Sequence, residues 1–189
     1  MSQIRAFIAI ELSGDVSNAL SDTRRILSSR LEQGGIRWVK TSNIHLTLRF
    51  LGNVKSDQLP ALYKGLDIVA EDNNPFSLDL DVLGCFPNVR RPRVVWVGLA
   101  GEIGKLNLLY SSIEEVLATL GWEPEGRDFH PHLTLGRVKE SGRVANSQLP
   151  WGEVLAKGRI DVQAIHLIES QLLPTGAVYT IQHSGSLQK

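Results

Sequence analysis

A His-Leu-Thr-Leu tetrapeptide occurs twice in the sequence, at residues 45–48 and 132–135. In a β-strand, side chains two residues apart point to the same face, so each tetrapeptide presents one imidazole and one hydroxyl side by side. His45 and Thr47 form the first pair, and His132 and Thr134 form the second. The leucines point to the other face, where they are expected to pack into the core. The repeat therefore predicts two equivalent polar pairs held on strands.

Two histidines in one site are suited to general acid–base catalysis. With an ordinary pKa of about 6.5, one imidazole can accept a proton near neutral pH while the other donates one. Hydrolysis of a phosphodiester needs both roles, and threonine hydroxyls can bind the phosphate oxygens on which negative charge develops. Neither tetrapeptide has the further histidine or acidic ligand that a zinc site requires. The pattern predicts phosphodiester hydrolysis without a metal or another cofactor.

Strict alternation along the two strands also assigns a face to the neighbours of the motifs. It places Arg49 on the face of the first histidine and Phe50 among the core leucines. Arg137 falls on the leucine face of the second strand, so a bulge or bend at Gly136 would be needed to turn it towards the second histidine. For Arg49, a solvated position at the strand end is the alternative to a role in the site.

Hydrophobic periodicity predicts the elements that position these residues. The predicted strands cover residues 4–11, 36–39, 44–50, 76–83, 93–99, 129–138, 158–169 and 177–184, and the predicted helices cover 15–32, 56–71 and 103–120. The first motif strand is expected to stop at Gly52. Because the motif strands lie half a chain apart, an α+β unit is expected to be duplicated. Short turns between consecutive strands favour antiparallel sheets.

The expected fold is therefore α+β. Two similar lobes, related by pseudo-twofold symmetry, would place mainly antiparallel sheets along a central cleft and helices on the outside. No linker rich in proline, glycine and serine separates the halves, so a single bilobal domain over residues 1–189 is expected.

The composition limits the choice of partners and compartment. Of 189 residues, 42% are hydrophobic, and 20 basic residues balance 20 acidic ones, so contact with nucleic acid is expected to be local. Cys85 is the only cysteine, which fits a reducing compartment. The sequence shows neither a signal peptide nor a run of about 20 apolar residues. We expect a cytoplasmic protein without a membrane partner, and a monomer because coiled-coil heptads are absent.

Other polar and aromatic residues have two interpretations each. His130 lies on the face of His132, where it would extend the site or simply face solvent. The arginines at 90, 91 and 93 form either a phosphate-binding edge or a charged loop. The four tryptophans either stack on bases or pack in the core and between the lobes.

In several blocks the chain resembles the 2H phosphoesterases, and within them the bacterial and archaeal RNA 2′,3′-cyclic phosphodiesterases, also called 2′-5′ RNA ligases. The blocks lie at residues 5–10, 37–39, 43–52, 86–88, 91–98, 129–137 and 176–180. They span nearly the whole chain in the order of the family. The two motif blocks read Asn-Ile-His-Leu-Thr-Leu-Arg-Phe-Leu-Gly and Phe-His-Pro-His-Leu-Thr-Leu-Gly-Arg.

This resemblance implies hydrolysis of RNA 3′ ends that carry a 2′,3′-cyclic phosphate, giving a 2′-phosphate. It also implies ATP-independent 2′-5′ ligation of RNA in vitro. By position, His45 would donate a proton to the leaving 3′-oxygen and His132 would activate water. The phosphate would be bound by Thr47, Thr134 and Arg137, and Phe7 matches an aromatic residue that lines the cleft.

Two alternatives to this function stay open. The chain could bind RNA ends or nucleotides without turnover, which would use the threonines and Arg137 but would not need both histidines. It could also be a phosphodiesterase that acts on a small cyclic nucleotide. The physiological substrate, the oligomeric state and the importance of ligation in the cell are not fixed by the sequence.

Overall fold

Nine β-strands and three α-helices make up the part of the chain that the computed structural model describes, which comprises residues 2–31, 35–140, 149–174 and 176–188. In chain order they are β1 (Gln3–Ile10), α1 (Gly14–Ser29), β2 (Ile36–Trp38), β3 (Leu46–Lys55), α2 (Leu59–Glu71), β4 (Phe76–Phe86), β5 (Val94–Gly101), α3 (Ile103–Thr119), β6 (Leu133–Val138), β7 (Arg159–Val162), β8 (Ala164–Leu173) and β9 (Gly176–Ser186). A short 3-10 helix, Thr41–Asn43, lies between β2 and β3.

The strands form two antiparallel sheets, one in each lobe. The first sheet has the order β3-β1-β8-β9, and the second has the order β2-β6-β5-β4-β7. Every strand pairing in the described residues is antiparallel, so the predicted two-lobed α+β fold is confirmed. Each sheet takes strands from both halves of the chain, because β4 pairs with β5 while β8 pairs with β1.

Several strand boundaries differ from the prediction, and those of the two motif strands matter most for the site. Both motif histidines lie just before their strands, since β3 begins at Leu46 and β6 at Leu133. The 3-10 helix precedes the first motif, and Pro131, which has no N–H to donate, precedes the second. Strand β3 also continues past Gly52, which has a φ of 70° at an irregularity in the pairing with β1. The predicted strand over 158–169 is two strands, separated at Gln163.

The two motif strands have the same irregularity at the same place. In the pairing of β3 with β1, Leu48 is the extra residue, and in the pairing of β6 with β5 the extra residue is Leu135. These leucines are 87 positions apart, as the two histidines are. A residue inserted into one strand of a pair reverses the alternation beyond it. The internal duplication therefore extends to a β-bulge directly after each threonine.

A single buried cluster contains residues from both sheets and from all three helices. The helices bury apolar side chains at helical spacing, for example Leu106, Leu109, Ile113 and Leu117 in α3. Helix α2 packs on β8 and β9 and against α3. Our proposal of one bilobal domain over the whole chain rests on this shared cluster. None of the helices in the described ranges is long and apolar enough to cross a membrane.

Candidate active site

The first histidine is fixed by one hydrogen bond and two aromatic rings. His45 Nδ1 lies 3.0 Å from the carbonyl oxygen of Asn43. Because a carbonyl only accepts, Nδ1 must carry the hydrogen, and Nε2 of the neutral ring keeps its lone pair. Phe7 stacks on the imidazole at 4.6 Å, and Tyr179 meets it edge-on at 5.3 Å. The ring therefore has a defined orientation and a defined tautomer.

The second histidine has the same arrangement. His132 Nδ1 lies 2.6 Å from the carbonyl oxygen of His130, which is again two residues earlier in the chain. The Phe86 ring meets the His132 ring edge-on with 5.0 Å between the ring centroids, and the Trp96 ring centroid lies 6.1 Å from that of His132. The Trp96 ring lies over Gly84, where a Cβ atom would collide with it. Both motifs thus use a backbone carbonyl to orient the imidazole and leave Nε2 available for chemistry.

Burial lowers the pKa of both imidazoles. For His45 it lowers the pKa to about 4, with the bond to the Asn43 carbonyl opposing the shift. Burial also lowers the pKa of His132, and the positive charges of Arg137 and His130 act in the same direction, against the bond to the His130 carbonyl. In the free protein at pH 7, both histidines are therefore neutral.

This shift predicts a pH-dependent stability. Between pH 4 and 6.5 the unfolded chain binds a proton at residue 45 that the folded chain does not bind, so the free energy of unfolding falls as the pH is lowered through this window, by up to about 3 kcal/mol. Urea denaturation at several pH values measures this effect. In a His45→Leu variant, the free energy of unfolding should fall less over the same pH range. If its pH dependence equals that of the wild-type protein, His45 is not the group responsible.

Thr47 and Thr134 are the second residues of β3 and β6, and each follows the leucine with which its strand begins. Both side chains are half-buried. Thr47 is opposite Ala9 on β1, and Thr134 is opposite Trp96 on β5. Since residues directly opposite in antiparallel strands share a face, Thr134 lies on the face that carries the tryptophan beside His132.

Arg137 lies on the same face as Thr134 because of the bulge. It is opposite Val94, two residues from Trp96 on β5, and the extra residue is Leu135 rather than the predicted Gly136. Arg137 is exposed, and its positive charge adds to the lowering of the His132 pKa by burial. Burial raises the pKa of Tyr179, and the same charge opposes that shift. The charge of Arg137 therefore acts on His132 and also on Tyr179, the residue that contacts His45 edge-on.

The corresponding bulge after Thr47 overturns two predictions. Phe50, expected in the core, is opposite Phe7 and is 61% exposed. Arg49, expected on the histidine face or solvated, is buried on the opposite face at 8% exposure. The prediction was wrong in both cases because alternation was carried through the bulge at Leu48.

Arg49 is held by an ionic cluster on the far side of β3. Its Nε lies 2.8 Å from Glu114 Oε1, and its Nη1 lies 2.5 Å from Glu125 Oε2. It also donates to the carbonyl oxygen of Glu123. The cluster thereby joins the first motif strand to α3 and to the segment that leads from α3 to His132.

A matching contact joins the second motif strand to the segment that leads to His45. Strand β2 pairs with β6, and the Val39 N–H donates to the carbonyl oxygen of Leu135 over 2.8 Å. The close approach requires glycine at 136, since a Cβ there would lie 2.6 Å from Ile36. Each histidine is therefore preceded by a segment anchored on the strand of the other motif.

Several other residues lie near the site. Phe7 is 3% exposed and stacks on the His45 ring, and its role in lining the cleft stays a prediction. Tyr179 and Phe86 were not predicted as site residues. Both lie in blocks that resemble the family, but their contacts with the histidines join residues that are distant in sequence, so no local pattern could assign them that role. The Asn43 carbonyl was also missed, because a backbone acceptor leaves no mark on residue type.

The remaining polar candidates are at the surface. His130 is exposed, 6.3 Å from the Phe86 ring. The arginines at 90, 91 and 93 are exposed in the turn between β4 and β5, where Asn88 Oδ1 accepts from two backbone N–H groups. This turn follows Phe86 and therefore lies on the His132 side of the site. Among the described residues, no group of three or more His, Cys, Asp or Glu side chains is placed to hold a metal ion.

A cavity of about 500 Å³ opens beside His45, between the 3-10 helix and β9. Its lining is mainly polar on the side of the 3-10 helix and apolar on the side of β9. The lining residues include Lys40, Ser42, Asn43, Val178, Tyr179 and Ile181. The cavity receives no residue from the second motif.

Similarity to known proteins covers both halves of the chain. The profile of a family described as LigT like Phosphoesterase matches residues 10–96 and matches again at residues 97–179. Two successive matches to one profile agree with the duplicated motif strands and their duplicated bulges.

Similar proteins and structures extend over almost the full length. An RNA 2′,3′-cyclic phosphodiesterase of Aquifex aeolicus is 31% identical over 96% of this chain and 96% of its own. One from Archaeoglobus fulgidus is 32% identical over 93% of this chain and 96% of its own. The crystal structure of E. coli LigT complexed with 3′-AMP has a TM-score of 0.79 at 27% identity, with both chains covered completely. A crystal structure of a Thermus thermophilus protein has a TM-score of 0.78 at 29% identity, covering 97% of this chain and 98% of the other.

Proposed function

The chain belongs to the LigT-like phosphoesterase family, and from this membership we propose that it hydrolyses the 2′,3′-cyclic phosphate at RNA 3′ ends to a 2′-phosphate. The observation that carries the proposal is the pair of imidazoles, each oriented by a carbonyl two residues earlier. Relatives similar over most of the chain are named as RNA 2′,3′-cyclic phosphodiesterases, which supports this substrate.

In the proposed reaction, the histidines divide the proton transfers. Nε2 of His132 takes a proton from water, and the water oxygen bonds to phosphorus. The bond between phosphorus and the 3′-oxygen breaks, and His45 gives its proton to that oxygen. The products are a 2′-phosphate and a free 3′-hydroxyl on the same ribose.

The phosphate would be held by donors from both lobes. Thr47 and Thr134 donate from their hydroxyls, and the exposed guanidinium of Arg137 neutralises charge on the non-bridging oxygens. These groups stabilise the charge that develops as water attacks. In this proposal the proton transfers and the charge stabilisation come from side chains, and no metal takes part.

His45 must be protonated to act as the acid, although its pKa is about 4 in the free protein. The cyclic phosphate is an anion, and an opposite charge within a few ångströms raises the pKa of an imidazole. In this proposal, substrate binding raises the pKa of His45, so the imidazole becomes protonated and can act as the general acid. The neutral state of His132 in the free protein is the one a general base requires.

This coupling predicts different pH profiles for kcat and kcat/KM. The profile of kcat/KM reports the free enzyme and that of kcat reports the substrate complex. We expect the descending limb of kcat, set by deprotonation of His45, to lie at higher pH than the descending limb of kcat/KM. Steady-state rates from pH 4 to 9 test this. Coincident limbs would show that the substrate does not raise the pKa of His45.

The defining experiment is hydrolysis of an RNA oligonucleotide with a 2′,3′-cyclic phosphate end in the presence of EDTA. We expect complete conversion to the 2′-phosphate, identified by its resistance to enzymes that remove only 3′-phosphates. A 3′-phosphate product would reverse the assignment of the leaving oxygen. Loss of activity in EDTA would overturn the metal-independent mechanism.

The same assay separates the alternatives. A module that only binds RNA ends would retain the oligonucleotide without converting it. An enzyme for small cyclic nucleotides would convert adenosine 2′,3′-cyclic phosphate with a higher kcat/KM than the oligonucleotide. Ligation in vitro would follow if a 5′-hydroxyl replaced water as the nucleophile activated by His132, since the strained cyclic ester supplies the energy that ATP would otherwise provide.

A further inference from the structure

The cavity beside His45 has no part in the proposed reaction at the cyclic phosphate. Its volume of about 500 Å³ lies in the range of about 300–1,000 Å³ that small-molecule sites have. Its walls, the 3-10 helix and β9, are joined by the hydrogen bond that Asn43 Nδ2 donates to the carbonyl oxygen of Ala177 over 2.8 Å. Because His45 is itself among the lining residues, a group bound in this cavity would lie next to the imidazole.

The leaving oxygen determines which part of an RNA chain can reach this cavity. In the proposed reaction His45 protonates the 3′-oxygen, so C3′ of the terminal ribose faces the His45 side of the site. C3′ is bonded to C4′, and C4′ carries the C5′–O5′ link to the preceding nucleotide. C1′, which carries the base, is bonded instead to C2′, on the side of the oxygen that keeps the phosphate. The preceding nucleotide therefore leaves the terminal ribose on the side where the cavity lies.

The polar wall of the cavity suits a phosphodiester. Lys40 is exposed and is the only lysine or arginine among the described residues that line the cavity. It takes part in none of the ion pairs within the described ranges of the chain. The Lys40 ammonium group and the hydroxyl of Ser42, which also lines the cavity, can both donate to phosphate oxygens. Glu11, another lining residue, would repel a phosphate but can accept a hydrogen bond from a ribose hydroxyl.

The apolar wall of the cavity offers surface to a base. Val178 and Ile181 lie on β9, line the cavity, and are 42% and 43% exposed. Apolar side chains with this much surface in solvent are stabilised when a flat ligand covers them. With a cation on one wall and apolar surface on the other, the cavity matches a nucleotide, which combines a charged phosphate with a flat base.

We propose that this cavity binds the penultimate nucleotide of an RNA chain, with Lys40 on the phosphodiester that joins it to the terminal nucleotide. The inference rests on the proposed function and deepens it, because it makes the preferred substrate a chain of at least two nucleotides and not a small cyclic nucleotide. A contact with a backbone phosphate carries no sequence information, so the site would accept RNA ends of different sequence.

Paired substrates test the proposal. Adenosine 2′,3′-cyclic phosphate is a single nucleotide, and the dinucleotide ApA with a 2′,3′-cyclic phosphate adds the penultimate nucleotide and its phosphodiester. We expect wild-type kcat/KM to be about tenfold higher for the dinucleotide, since a hydrogen bond to a charged group contributes about that much. Lys40→Met should remove most of this advantage and leave kcat/KM for the single nucleotide unchanged. Equal kcat/KM for the two substrates in the wild-type protein, or equal losses on both in Lys40→Met, would overturn the proposal.

A second exposed lysine provides the matched control. Lys64 lies in α2, which packs on β8 and β9, and it is not among the lining residues of the cavity. Lys64→Met removes the same charge from the protein as Lys40→Met and should leave kcat/KM for the dinucleotide unchanged. If the two variants lose the dinucleotide advantage equally, the lysines act through the overall charge of the protein and the proposal is wrong.

Binding without turnover separates this inference from the proposed function. Isothermal titration calorimetry compares 3′-AMP with the dinucleotide ApA that carries a 3′-phosphate. The dinucleotide should bind the wild-type protein about tenfold more tightly, and Lys40→Met should bind the two ligands with similar Kd. This difference would support the penultimate site even if no cyclic phosphate were hydrolysed, in which case only the proposed function would fail. Hydrolysis of the cyclic phosphate together with equal Kd values in the wild-type protein would overturn the inference alone.

Discussion

Replacing His45 or His132 with alanine is expected to reduce kcat on a 2′,3′-cyclic phosphate by a factor of about 10² to 10⁴ each. A positioned general acid or base contributes about this much, and each Nε2 has one proton to move. The fold reduction of kcat in the double variant should be smaller than the product of the two single reductions, because the effects of residues that act together in one step are not additive. Single-turnover rates with saturating enzyme measure these effects.

A control histidine is available on the other side of the first sheet. His183 stacks on Tyr63 at 4.7 Å and bonds to Asp67 in α2 over 2.7 Å. Because these partners lie in a helix on the far side of the sheet, His183→Ala should keep wild-type kcat. Full activity in His45→Ala or in His132→Ala would remove that residue from the mechanism, provided that the variant is folded.

Replacing Arg49 with methionine is expected to lower the free energy of unfolding by about 3–5 kcal/mol. Breaking a buried ion pair by removing one partner leaves the other charge without compensation. The side chain of Arg49 is 9% exposed and that of Glu114 is 18% exposed, so the carboxylate cannot easily recover water. Chemical denaturation at pH 7 measures the loss. Adding Glu114→Gln to Arg49→Met should restore part of the stability.

Another arginine provides the matched comparison. Arg25 pairs with Asp22 at 3.0 Å on the surface of α1, with side chains 80% and 67% exposed. Exposed pairs of this kind contribute about 0–1 kcal/mol, so Arg25→Met should change stability by no more than that. If Arg49→Met were equally mild, the cluster on β3 would be stabilised by water and not by its arginine.

The sequence predicted the elements well because each depends on local periodicity. The tetrapeptides identified both motif strands, and Leu46 and Leu133 are fully buried as alternation requires. Alternation then failed at Leu48 and Leu135, because a bulge depends on how two strands pair and leaves no sign in the strand itself. This single cause explains why Arg49 and Phe50 were each assigned to the wrong face.

Contacts between distant residues were beyond the sequence for a different reason. The partners of Arg49 lie 65 or more positions away, and Tyr179 approaches His45 from the last strand of the chain. The hydrophobic pattern of a sequence indicates whether such a residue lies near the core or at the surface, but it does not identify the residue with which it pairs. The sequence also did not indicate that β4 joins the sheet that contains β5 and β6, or that β8 joins the sheet that contains β1 and β3. It did predict that the strands pair in antiparallel fashion.

Each sheet contains strands from both halves of the chain, and this arrangement has a consequence for folding. Ala6 in β1 pairs with Glu169 in β8, so one of the closing steps of the first lobe joins the two ends of the chain. Pairings over such separations give a high contact order, which slows folding because a large loop must close before the contact stabilises it. During synthesis, one edge of β1 stays without its native neighbour until β8 has emerged from the ribosome. Neither half of the chain contains all the strands of a lobe, so the second sheet is completed only after β7 has been made and the first only after β9.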